Sequence, residues 1–146
     1  MARSRPCLAR PSANGFPGFG LLSLTAFPGK NCCPAPIISG VSATPNILWS
    51  PNHKFVDVTA NYSVTEPCPS KCVLAVSSNQ PINGTGDGNA SPDWQVIDAH
   101  HVLLRAERDG NATDRLYTIT ITCTNDTNKL STTETVTVSV PHDQGE

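Results

Sequence analysis

Arg115-Leu-Tyr-Thr-Ile-Thr-Ile-Thr-Cys-Thr124, a polar turn at Asn125-Asp-Thr-Asn128, then Thr133-Glu-Thr-Val-Thr-Val-Ser-Val-Pro141: these residues decide the fold class. Both runs alternate with the side-chain period of a strand. Tyr117, Ile119, Ile121 and Cys123 point one way and Thr118, Thr120, Thr122 and Thr124 the other, and Val136, Val138 and Val140 repeat the pattern. Such a pattern predicts an antiparallel hairpin with one wet and one buried face, the last two strands of a β-sandwich. Tyr117 opens the first run just after a turn, where a tyrosine corner ties a sandwich loop through its hydroxyl.

Upstream, the same reading continues. Ile37-Ile-Ser-Gly-Val-Ser42 reads as a first edge strand, and Pro45 to Pro51 as a loop that drops Leu48 and Trp49 onto the core. Phe55 to Val64 is a strand with Val56, Val58, Ala60, Tyr62 and Val64 facing in. Cys72 to Ser77 is short and nearly all apolar, which suits a central strand. The longest loop, Asn79 to Asp93, is rich in Gly, Asn, Asp and Pro. Trp94 to Asp98 and His101 to Glu107 follow, the second with Val102, Leu104 and Ala106 inward and Leu103, Arg105 and Glu107 outward. Seven or eight short strands separated by turns predict an immunoglobulin-like, two-sheet Greek-key sandwich over residues 36–144. Residues 1–35 form a Pro/Gly-rich arm. Its Arg3, Arg5 and Arg10 precede an apolar Gly20-Leu-Leu-Ser-Leu-Thr-Ala-Phe27, like a degenerate signal segment.

A net charge of −2, a pI near 6.0 and 15% charged residues give no electrostatic basis for binding nucleic acid or an anionic membrane. No apolar run approaches the roughly 20 residues needed to span a bilayer. Six cysteines, at 7, 32, 33, 68, 72 and 123, point to an oxidising compartment. Zinc is the rival for Cys68-Pro-Ser-Lys-Cys72, but a closed site wants four ligands and only Cys123 shares the domain. A Cys72–Cys123 cross-strand bridge and a Cys68–Cys72 loop bridge are both feasible. One thiol of that trio is left over unless it meets Cys32 or Cys33, which would pin the arm to the domain. Five sequons, at Asn61, Asn83, Asn89, Asn111 and Asn125, are candidate glycosylation sites. Asn61 lies on the outward side of its strand and the others in loops.

Five ordered blocks resemble an Ig-like domain, akin to HYR and PKD modules, that recurs in secreted bacterial multidomain proteins. They are Leu48-Trp-Ser-Pro-Asn-His-Lys-Phe-Val56, Gly86-Asp-Gly-Asn-Ala-Ser-Pro-Asp-Trp94, Leu104-Arg-Ala-Glu-Arg108, Arg115-Leu-Tyr-Thr-Ile-Thr120 and Val140-Pro-His-Asp-Gln144. The resemblance implies a β-sandwich module of extracellular or envelope proteins, with no catalytic residues. The family usually has a proline at Ser50, methionine at Phe55, aspartate at Asn89 and a Gly-Asn turn near Thr127-Asn128.

For chemistry, Asp87, Asn89 and Asp93, with Asp98 further on, make the best cluster of oxygen ligands. Glycines let such a loop curl round calcium, which takes six to eight oxygens. Asx-bonded turns are the simpler explanation. His53, His100, His101 and His142 are the only imidazoles, with His53 and His142 expected at opposite poles. No nucleophile elbow or paired-carboxylate cleft suggests an enzyme. Glu107 and Asp98 read as solvated, and Arg105 and Arg108 as partners of Asp57 or Glu134 across strands. The expectation is a non-catalytic extracellular structural or interaction module, facing protein or carbohydrate at the cell surface. Its alternatives are a calcium-dependent ligand- or carbohydrate-binding module using the 83–94 loop, and a self-associating filament subunit whose arm adds as a strand to a neighbour.

Overall fold

A computed structural model describes residues 33–82 and 91–143. Among them are seven strands and no helix: β1 (Ile37–Thr44), β2 (Phe55–Thr65), β3 (Ser70–Ser78), β4 (Trp94–Val96), β5 (His101–Arg105), β6 (Arg115–Asn125) and β7 (Ser131–Val140). They form two antiparallel sheets, a four-stranded one in the order β1-β2-β5-β4 and a three-stranded one in the order β3-β6-β7. Four-plus-three order of this kind is that of a constant-type immunoglobulin sandwich.

Period-two alternation builds the core. Val58 and Ala60 of β2, Val102 and Leu104 of β5, Tyr117, Ile119, Ile121 and Cys123 of β6, and Val138 and Val140 of β7 are all fully buried. On the outside of the three-stranded sheet, Thr118, Thr120, Thr122 and Thr124 stand opposite Thr137, Thr135, Thr133 and Ser131. Polar β-branched side chains keep that face wet without charge.

Two disulfides are present among the described residues. Cys72–Cys123 joins directly opposed residues of β3 and β6, so it staples one sheet rather than bridging two. Cys33–Cys68 ties the segment before β1 to the start of β3. A Cys68–Cys72 bridge is therefore not made. Beside it, the β6–β7 turn grips the same segment, with Asn128 Nδ2 donating to Cys33 O (2.6 Å) and Asn125 Nδ2 to Pro34 O (3.3 Å).

Three expectations are corrected. β3 is an edge strand, not a central one, and Val73 on its outer face is 51% exposed. Its apolar run reflects one buried face plus an unfilled outer one. Leu48 is buried, but Trp49 beside it is 47% exposed. The loop's backbone pairs with β7, Leu48 N donating to Ser139 O, and this turns neighbouring side chains to opposite sides. Glu107, expected outward, is fully buried. β5 ends at Arg105, and Glu107 N donates to Arg105 O (2.9 Å) in a three-residue turn that breaks the alternation.

Candidate functional site

Among the described residues the buried charges gather at one pole, where β2 and β6 begin and β5 ends. Arg115 is the first residue of β6 and lies in phase with Tyr117, so the alternation that buries Tyr117 buries the guanidinium too. Arg115 NH2 pairs with the buried carboxylate of Asp93, just before β4. Its NH1 lies 3.6 Å from Glu107 Oε1. Its Nε donates to Ser78 Oγ (3.0 Å), and its Cζ sits 4.8 Å from the centroid of the Tyr117 ring. One cation thus lies between two buried acids, with a hydroxyl and an aromatic face completing its surroundings. That is the pairing a buried charge requires.

A second arginine borders the first set. Arg105 Nε lies 3.6 Å from Glu107 Oε2, and the guanidinium donates to His53 O (2.9 Å) and Pro92 O (3.0 Å). Its Cζ stacks 4.3 Å from the Phe55 ring centroid. His53 has a positive φ of 60°, a left-handed turn that brings its carbonyl to Arg105 and its Nδ1 to 3.4 Å from Glu107 Oε2. Tyr117 Oη donates to Arg105 O (2.8 Å), which makes the tyrosine corner and fixes the end of β5.

Two guanidiniums against two carboxylates leave the set neutral. Burial pushes the Glu107 carboxyl above the usual range, reinforced by the negative charge of Asp93. His53 and the two arginines act in the opposite direction. Burial likewise raises the Tyr117 phenol well above its usual value. Asp93 Oδ1 has no hydrogen-bond partner among the described residues, and Glu107 Oε1 and Arg115 NH1 face each other just beyond hydrogen-bond range. Chemically the set is a clasp. Of its hydroxyls, Ser78 Oγ accepts from a guanidinium and Tyr117 Oη donates to a backbone carbonyl.

Asp93 is buried and turns inward, with Oδ2 on the Arg115 guanidinium. Asp87, Asn89 and Asn83 lie outside the described residues. Among the described residues, no group of three or more His, Cys, Asp or Glu side chains could hold a metal ion. Asp98 closes an Asx turn, Oδ1 accepting from His100 N (2.7 Å) and His101 N (2.8 Å), and its carboxylate contacts His101 Nδ1 at 2.9 Å. His100 stacks on Tyr62, whose hydroxyl donates to Ala99 O. Arg105 and Arg108 do not pair with Asp57 or Glu134. Arg108 donates to the carbonyls of Asp109 and His142.

His53 and His142 share a pole rather than opposing one another, because both hang on the segment after β5. His53 N donates to Ala106 O, and His142 N to Asp114 Oδ1. Asn61 and Asn111 are exposed. Asn125 is buried, its amide spent on Pro34 O and its carbonyl on the N–H groups of Thr127 and Asn128, so the folded chain does not present it for glycosylation.

No family model matches the chain, and neither the curated proteins nor the solved structures contain a match to it. Among the described residues, no helix is long and apolar enough to cross a membrane.

Proposed function

We propose that this chain is a non-catalytic Ig-like module of a secreted or cell-surface protein, acting as a structural or interaction unit toward protein or carbohydrate. The observation that carries the compartment is the pairing of all four described cysteines into two bridges, spanning 35 and 51 residues. Such bridges persist where the surroundings are oxidising. The non-catalytic reading rests on the polar clasp. Asp93, Glu107, Arg105 and Arg115 contact one another, His53, Ser78, Tyr117 and backbone carbonyls, an arrangement that holds chain segments together. The resemblance to secreted bacterial Ig-like modules agrees with both. Exposed Trp49 and Ile47, on the loop entering β2, are the apolar contacts such a unit would offer.

The test is to produce the chain in oxidising and reducing compartments, then compare free thiols and thermal unfolding. The proposal expects both bridges in the oxidised product and a markedly lower melting temperature for the reduced one. A reduced chain with native thiols and an unchanged melting temperature would sink it.

A further inference from the structure

Among the described residues the sandwich leaves four strand edges, and three of them carry devices that discourage pairing with another chain. β1 is kinked by a register shift between Ser39 and Ser42, where Gly40 takes a φ of +64°. β4 is three residues long. β7 is capped at one end by the 46–48 segment, and it carries Glu134 opposite Ile121, a charge on the inward-facing side of the edge.

β3 differs. It runs nine residues in unbroken register with β6, from Ser70 opposite Asn125 to Ser78 opposite Tyr117. Lys71 is its only charge, and its outer face is Lys71, Val73, Ala75 and Ser77. Among the described residues nothing pairs with its outer backbone.

The polarity of that edge follows from one distance and one hydrogen bond. Cys72 and Cys123 are directly opposed with Cα atoms 4.0 Å apart, the close spacing of a non-hydrogen-bonded pair. Asn79 N donates to Leu116 O, so odd-numbered residues of β3 bond to β6. The N–H and C=O groups of Cys72, Leu74 and Val76 therefore point out of the sheet edge.

This arrangement is self-complementary. We infer that two copies of the chain pair edge to edge through β3, antiparallel about a two-fold axis at Leu74, and so join two three-stranded sheets into one. Leu74 meets Leu74 of the second copy, with both bonding backbones facing, and Cys72 meets Val76. On the outer face Val73, half exposed in the single chain, packs against Ala75. Lys71 falls opposite Ser77, so no like charges meet. This goes beyond the proposed module role by naming its partner surface and the partner, a second copy.

The test is sedimentation velocity on the full chain over a wide concentration series, with the exposed substitutions Ser77→Lys and Ser77→Glu. Each substitution acts twice by symmetry, opposite Lys71. The dissociation constant should rise roughly 2- to 30-fold for Ser77→Lys and fall by a similar factor for Ser77→Glu. A chain that stays monomeric throughout overturns the inference. So does an assembly that ignores both substitutions or answers both in the same direction, which would place the contact elsewhere, including on the segment 1–32.

Discussion

Replacing Arg115 by methionine removes one cation and strands two buried acids. Arg115 is fully buried, as is Glu107, and Asp93 is nearly so. It carries the ion pair to Asp93, the 3.6 Å contact to Glu107, the hydrogen bond to Ser78 Oγ and the cation–π contact to Tyr117. Methionine keeps the bulk and apolar stem, so the change is chiefly electrostatic. Breaking a buried pair by deleting one partner costs roughly 3–5 kcal/mol, because the other charge stays buried and uncompensated. Against a total stability of about 5–15 kcal/mol for a domain, this is a large fraction. Guanidinium chloride unfolding at neutral pH, followed by tryptophan fluorescence, measures it.

The deficit also has a required pH dependence. Burial already holds the Glu107 carboxyl above its usual range, and without Arg115 it loses an opposing cation and rises further, so the folded state holds more protons. The loss relative to the parent is then largest at neutral pH and shrinks as pH falls through the raised Glu107 pKa. Adding Asp93→Asn to Arg115→Met should recover most of it, since a neutral set costs far less to bury. A loss within about 0.5 kcal/mol, the scatter of surface substitutions, would refute the clasp. So would a loss that does not vary with pH.

Tyr117→Phe removes the hydroxyl that donates to Arg105 O while Glu107 N still donates to that carbonyl, so the loss is that of one hydrogen bond, about 0.5–1.5 kcal/mol by chemical denaturation. Calcium and chelator should leave the melting temperature unchanged, because Asp93 Oδ2 is engaged by Arg115; a calcium-dependent rise would favour the 83–94 loop as a metal site. His101 should titrate above 6.5 by NMR, chiefly because its side chain bonds Asp98, and Asp98→Asn should return it toward 6.5. Its small stabilising contribution is present below the unfolded pKa and fades as pH rises through the folded one.

The hairpin of β6 and β7, the inward set of β2 and the tyrosine corner were legible because each rests on unbroken alternation over a regular strand. Legibility failed where alternation ended. Glu107 lies two residues past the end of β5, and a tight turn reverses the side it should occupy. Arg115 is different, because the signal was present. It shares the phase of Tyr117, Ile119 and Ile121, so the pattern already placed a guanidinium in the core. A buried arginine demands acids, yet its partners sit 22 and 8 residues away on separate loops, and no periodicity links them. The bridge between Cys72 and Cys123 was one of two open pairings. Choosing it needed the β3–β6 register, which a sequence that hides whether β3 is central or edge does not supply.

The two poles of the sandwich are closed by different chemistry, and this predicts how the fold loosens. At the start of β3, closure is covalent: the Cys33–Cys68 bridge, with Asn125 and Asn128 holding the same segment. Where β6 begins, closure is ionic: Asp93, Glu107 and Arg115 tie the ends of three segments. Reductant acts on the first and leaves the second intact. Removing Arg115 does the reverse. Native-state hydrogen exchange should therefore show mild reductant speeding exchange near Cys33 and the 126–130 turn, while Arg115→Met speeds it around Asp93 and the 106–114 segment. If either perturbation raised exchange equally at both poles, the sandwich would open as one unit and the two closures would not be independent.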